Sequence, residues 1–224
     1  MPQPRIHAVI FDCDGVLADS EPMHAAATRS EMHQRGIAIS DDFFDEHVGM
    51  RVVDQMAVLA ERHDIDHAAL SAARERRFWA MASDCFSEVP GSADTVRALH
   101  AAGLKIAVAT SGSREWIDFV IDRLGVADEI SASISAEDVT APKPDPQAYL
   151  RAAEALGMPA KSCGAVEDSA RGCRSAATAG CLVVILDREE RSPEQFAGAA
   201  TTTTSMPQAR DFLLRAAASA DAGG

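Results

Sequence analysis

No stretch of this chain reaches 18 uninterrupted apolar residues, so no part of it reads as a membrane span. Its five cysteines, Cys13, Cys85, Cys163, Cys173 and Cys181, are an odd number with no C-x-x-C pair. They read as free thiols of a reducing compartment, not as a disulfide framework or a zinc site. The opening MPQPRIHAVIFDCDG has an apolar stretch that aspartate breaks too soon for a signal peptide, so the expected location is cytoplasmic. Positive charge is also scarce: 21 Lys plus Arg stand against 34 Asp plus Glu, a formal charge of −13. That balance argues against nucleic acid and against an anionic membrane as partners. Internal repeats are absent. What remains is 47% hydrophobic over 224 residues, enough for one large domain or one domain with an insert.

Apolar residues 6–11 form a first strand. From about 21 to 82 the spacing turns helical, with helices expected over 23–35, 52–62 and 68–81. Gly36 is a stop for the first, Ser40-Asp41-Asp42 a start for the next, and no strand pattern intervenes. After Val89-Pro90-Gly91 the character changes. A helix over 92–102 closed by Gly103 precedes the apolar strand LKIAVA (104–109), the mark of a parallel sheet buried on both faces. Helices at 114–124, 146–156 and 170–179 then alternate with strands near 129–132, 163–166 and 182–186. That order predicts an α/β fold with a doubly wound parallel sheet. Thr201–Thr204 reads as a β-prone edge or loop, and the tail AAASADAGG as a frayed end.

Four strand ends or following loops carry reactive side chains. The first is VIFDCDGVLADSE, where Asp12 and Asp14 sit one residue apart before Gly15. If the strand alternation persists through the tip, both carboxylates converge beyond its C-terminal end, where open α/β sheets bind ligands. Two packed carboxylates ask for a cation or a proton. The plain alternative is an acidic turn. The second is Thr110-Ser111-Gly112-Ser113-Arg114, whose hydroxyls and helical N–H groups either bind phosphate oxygens or simply cap a helix. The third is Lys143, set among Pro142, Pro144 and Pro146, which can present an ammonium inward or lie on a surface turn. The fourth is Glu167-Asp168-Ser169, two more acids at a strand end, with Asp168 a candidate carboxylate for magnesium or a helix cap.

In this order the four segments resemble the haloacid dehalogenase superfamily, in the branch with a helical cap inserted after the first motif and most similar to the beta-phosphoglucomutase-like sugar-phosphate phosphatases. Asp12-Cys13-Asp14-Gly15-Val16, Thr110, Lys143 and Glu167-Asp168 match its four motifs, and the likeness spans nearly the whole chain. The resemblance implies a Rossmann-like core over 1–18 and 89–224 and a helical cap over 19–88. It implies that Asp12 attacks phosphorus and that Asp14 first protonates the leaving oxygen and then activates water. Mg²⁺ would sit on the Asp12 carboxylate, the Asp14 backbone carbonyl and Asp168, with Glu167 nearby. Thr110, Ser111, Gly112, Arg114 and Lys143 would hold the phosphoryl group. In the cap, His24, Gly49 and Arg51 are the matching substrate-binding positions, His24 being equally readable as a helix-face histidine. The activity implied is hydrolysis of a small phosphorylated metabolite, a sugar phosphate, by a monomer. The alternatives are a beta-phosphoglucomutase and a non-catalytic binder of phosphorylated metabolites.

Overall fold

A computed structural model describes residues 5–47, 50 and 52–218. The chain divides into two compact units, 1–18 with 88–224, and 19–87. Among the described residues no helix is long and apolar enough to cross a membrane.

The larger unit is a six-stranded parallel sheet flanked by helices. Its strands are β1 (Ala8–Phe11), β2 (Lys105–Ala109), β3 (Ile130–Ile134), β4 (Cys163–Glu167), β5 (Leu182–Leu186) and β6 (Thr201–Thr203), in the order β3-β2-β1-β4-β5-β6. Connections run rightward in one half and leftward in the other, so the order reverses between β1 and β4. These two strands pair directly, Phe11 against Val166. Their ends therefore meet at the one place where neighbouring loops diverge and leave a crevice.

Strand alternation divides the core. Ala8, Ile10, Ala107, Ala109, Cys163, Ala165, Val183 and Ile185 form one buried cluster with Tyr149, Ala152 and Cys173. Small residues on both sides let helices α7 (Gln147–Ala155) and α8 (Ala170–Ala179) lie close to the sheet. On the other face, a Cβ at Gly164 would stand 2.6 Å from Leu213, so the C-terminal helix α9 (Met206–Ala218) presses there on bare backbone. Helices α5 (Ser92–Ala101) and α6 (Arg114–Leu124) complete the layers. Each of α6 and α8 is N-capped by a serine, Ser113 accepting from Trp116 N and Ser169 from Gly172 N, and each ends on a left-handed glycine, Gly125 and Gly180.

The smaller unit holds α1 (Glu21–Gln34), α2 (Asp41–Glu46), α3 (Val52–His63) and α4 (His67–Cys85) around Met32, Phe43, Met56, Leu59, Ala60 and Leu70. Asp66 caps α4, its side chain accepting from Ala69 N.

Two expectations are corrected. Helix α9 was not foreseen, and the small residues 216–218 that read as a frayed end belong to it; Met206, Ala209, Leu213 and Ala216 are its buried side. The strand near 129–132 runs instead over Ile130–Ile134, pairing with β2 across a register shift. Thr201–Thr204 supplies the edge strand β6, as its composition allows.

Candidate active site

Strand β1 stops at Phe11, but Asp12 N still donates to Val166 O at 2.9 Å, so Asp12 enters the crevice at the switch between β1 and β4. Asp12 is 7% exposed. Lys143 reaches it from the proline-rich loop: Nζ donates to Asp12 Oδ1 at 2.8 Å, Glu167 Oε1 at 2.6 Å and Ala109 O at 3.1 Å. The Lys143–Pro144 peptide is cis. Tyr149 closes this network, its hydroxyl donating to Glu167 Oε1 at 2.7 Å and its ring centroid 4.8 Å from Nζ. The other oxygen of Glu167 accepts from Asp168 N, Ser169 N and Ser169 Oγ. Glu167 is thus fully buried and held on both oxygens.

One ammonium serves two buried carboxylates. Burial, then the charge of Glu167, pushes the Asp12 carboxyl up to about 7, with Lys143 pulling the other way. Burial works to lower the lysine, but Asp12 and Glu167 outweigh it and hold Lys143 above its ordinary value.

Asp14 has partners of its own. The chain leaves the strand, bends at Gly15 (φ +74) and bridges Asp14 to Ala18. The extended run stops at Phe11 and the turn at Gly15 places Asp14, whose charge still reaches Asp12 and adds to the upward push from burial and Glu167. Asp14 Oδ1 accepts from Trp116 Nε1 at 3.0 Å, and Oδ2 from Thr110 Oγ1 at 3.3 Å. Thr110 is buried at the tip of β2 and also accepts from Gly112 N at 3.0 Å. A Cβ on Gly112 would come 3.0 Å from Trp116 Cδ1 and 3.4 Å from Thr110 Oγ1, so this position stays small.

Asp168 completes an acidic group. Asp12, Glu167 and Asp168 each offer an oxygen, all within 4.8 Å of one another. Burial first, then the charges of Glu167 and Asp12, hold the Asp168 carboxyl well above its ordinary range, with Arg191 opposing. Two glycines make this crowding possible. A Cβ at Gly15 would lie 1.9 Å from Asp168 Oδ2, and one at Gly172 would lie 1.8 Å from Glu167 Oε1. Hard oxygen donors pressed together in partial burial are the donor set of a hard divalent cation, so the residues present fit magnesium.

A consequence for stability follows. Asp12 has an ordinary value of 3.8 and about 7 in the fold, so its ionisation disfavours the native state. That cost accrues as pH rises from about 4 and is complete above about 7. In EDTA, wild-type Tm is expected to fall relative to Asp12→Asn between about pH 5 and pH 7 and to run parallel above that. A difference that stays constant across that interval would contradict a buried carboxylate whose desolvation outweighs its pairing with Lys143.

A family model for haloacid dehalogenase-like hydrolases matches residues 6–180. The chain belongs to this family. It is 30% identical over 207 residues to protein CbbY of Rhodobacter capsulatus, covering 87% of this chain and 91% of that one. Hexitol phosphatase B of Escherichia coli (strain K12) is 30% identical over 177 residues, 77% of this chain and 80% of its own length. Among solved structures, a mutant CbbY from Rhodobacter sphaeroides in complex with xylulose-(1,5)bisphosphate has a TM-score of 0.77 at 26% identity, covering 90% of this chain and 95% of that chain.

Within this hydrolase, the core motifs Asp12, Asp14, Thr110, Lys143, Glu167 and Asp168 gather at neighbouring strand ends. Ser111 is exposed directly after Thr110. Arg114 is engaged differently. Its guanidinium donates to Ser133 Oγ, Ser133 O and Asp138, and its backbone N–H to Glu137. In the helical unit, His24 stacks on Phe78 with ring centroids 4.6 Å apart, and its Nδ1 and carbonyl face Arg74 Nη2. Arg74 is 2% exposed. Gly49 and Arg51 lie outside the described residues. Sequence reasoning missed Trp116, Tyr149 and Arg74, each an ordinary member of a helical pattern; no local signal separates them from core residues.

Proposed function

We propose that this hydrolase is a magnesium-dependent phosphatase of a small phosphorylated metabolite, most simply a sugar phosphate, working through an aspartyl-phosphate on Asp12. The observation that carries the reading is the contrast between its two aspartates. Asp12 is buried and oriented by Lys143 at 2.8 Å, while Asp14 is held by Trp116 and Thr110. Different environments for two carboxylates are what separate nucleophile and acid–base roles.

In the first step an Asp12 carboxylate oxygen bonds to phosphorus as the ester P–O bond breaks, and Asp14 gives its proton to the departing alkoxide. In the second, Asp14 takes a proton from water, whose oxygen bonds to phosphorus as the Asp12 O–P bond breaks. Phosphate leaves and both aspartates return to their starting states. Lys143 fixes the Asp12 carboxylate and offsets charge on the phosphoryl oxygens, which Thr110 and the Ser111 N–H also bind. A bound Mg²⁺, held by the Asp12 and Asp168 carboxylates and the Asp14 backbone carbonyl, supplies charge neutralisation for the same oxygens. Glu167, engaged on both oxygens, orients Lys143 and the Asp168 backbone. The helical unit, with His24, Gly49 and Arg51, supplies substrate choice.

Relatives support the substrate class, one being named a hexitol phosphatase and another binding xylulose bisphosphate. The test is phosphate release from a panel of phosphorylated sugars and polyols, with Mg²⁺ and with EDTA. The panel includes beta-glucose 1-phosphate with glucose 1,6-bisphosphate, followed for glucose 6-phosphate. Mg²⁺-dependent phosphate release is expected. Glucose 6-phosphate formed with little free phosphate would make the protein a mutase instead.

A further inference from the structure

The tip of β5 carries a buried acid with no part in the chemistry above. Asp187 is 1% exposed, and its N–H donates to Thr203 O, prolonging the pairing with β6. Its Oδ1 accepts from Glu189 N at 3.4 Å and from Arg191 Nε at 2.9 Å. A carboxylate is costly to bury unless it is paired, so Asp187 anchors the guanidinium. The turn between them holds Glu190 at φ +55, a left-handed conformation uncommon outside glycine. The Arg191 head lies 5.3 Å from the ring centroid of Phe196, itself in the core, and Glu189 Oε2 stands 3.7 Å from Nε. With one edge and one face of the fork fixed, Nη2 donates to the backbone carbonyl of Asp168 at 2.8 Å.

We propose that Arg191 is a positioning residue for Asp168: by gripping its carbonyl, it sets where the Asp168 carboxylate stands against Asp12 and so how tightly a divalent cation binds between them. The inference rests on the metal-dependent reading above. The Asp168 carboxylate already has a wall on one side, the bare backbone of Gly15. Arg191 fixes the other end of the same residue, its own main chain. The planar fork presents Nε to Asp187 and Nη2 to the carbonyl in fixed directions, a pair of set donors that the rotatable ammonium of a lysine does not reproduce.

The test is Mn²⁺ binding to the metal-stripped full chain, read from the EPR signal of the free ion. Wild type is compared with Asp168→Ala, Arg191→Met and Asp187→Asn. The Kd is expected to rise about ten-fold or more in Arg191→Met and by less in Asp187→Asn, the usual cost of losing an outer support of a metal ligand. In phosphate release the apparent Mg²⁺ constant of Arg191→Met should rise by the same factor, with KM for the ester at saturating Mg²⁺ within about two-fold of wild type. An unchanged Kd in Arg191→Met beside a raised one in Asp168→Ala overturns the clamp alone. A wild type that binds no Mn²⁺, or whose Kd ignores Asp168→Ala, overturns the metal-dependent reading and the clamp with it. Should Arg191→Met fail to fold, Arg191→Lys keeps charge and stem without the fork: a raised Kd supports the clamp and an unchanged one overturns it.

Discussion

Asp12→Asn is expected to abolish Mg²⁺-dependent phosphate release, by roughly four to six decades, or about 5–8 kcal/mol of transition-state stabilisation. The amide is nearly isosteric with the carboxylate but is no nucleophile, so the covalent route closes. The fold should survive. Lys143 keeps Glu167 as a counter-ion at 2.6 Å, and one buried charge that crowded Glu167 and Asp168 is gone. Lost turnover with an unreduced Tm therefore separates a chemical role from a structural one. Steady-state phosphate release decides: a mutant that retains more than about one part in a hundred of the rate cannot have lost its nucleophile.

Asp14→Asn is expected to slow hydrolysis of an alkyl phosphate by about two to four decades, the usual worth of a positioned acid–base group. The asparagine can still accept from Trp116 Nε1, so the site geometry has reason to persist. Substrate choice makes the test sharper. An aryl phosphate releases a stable phenolate that needs little protonation, so the first step should go forward without Asp14. The second step still lacks its base. The variant is then expected to release a burst of phenol equal to the enzyme present, followed by slow turnover limited by hydrolysis of the phospho-enzyme. Rapid-quench measurement with p-nitrophenyl phosphate reads this directly. Equal losses for both ester types with no burst would remove Asp14 from the acid–base role.

The layers of this fold were legible because a parallel sheet writes itself in apolar runs that end in reactive residues. LKIAVA is buried but for Lys105, and the helices α6 and α8 after it close on glycines where the chain turns left-handed. Helix α9 escaped because its buried side is sparse and half of it alanine, Met206, Ala209, Leu213 and Ala216, and it leads into a small-residue tail. Its partner is the missing side chain of Gly164, which no pattern inside residues 206–218 reveals. The site divides the same way. Asp12, Lys143 and Asp168 announce themselves by chemistry at strand ends. Trp116, 102 residues from Asp14, Tyr149 behind Lys143, and Arg191, 23 residues from Asp168, act through contacts that only the folded chain creates. Alternation could not supply the partners of Asp14, because the strand stops at Phe11 and the turn at Gly15 sets its carboxylate against Thr110 and Trp116.

Three carboxylates, Asp12, Glu167 and Asp168, crowd together at the heart of this crevice, and the ammonium of Lys143 pairs with the first two. That imbalance dictates an order of arrival. A phosphate ester is itself a dianion, and alone it would meet like charge at close range in a poorly screened place. A dication entering first reverses the sign of the greeting. The two ligands should then bind in sequence and help one another, each raising the other's occupancy, so that scarcity of the cation would be felt as a weakened grip on substrate.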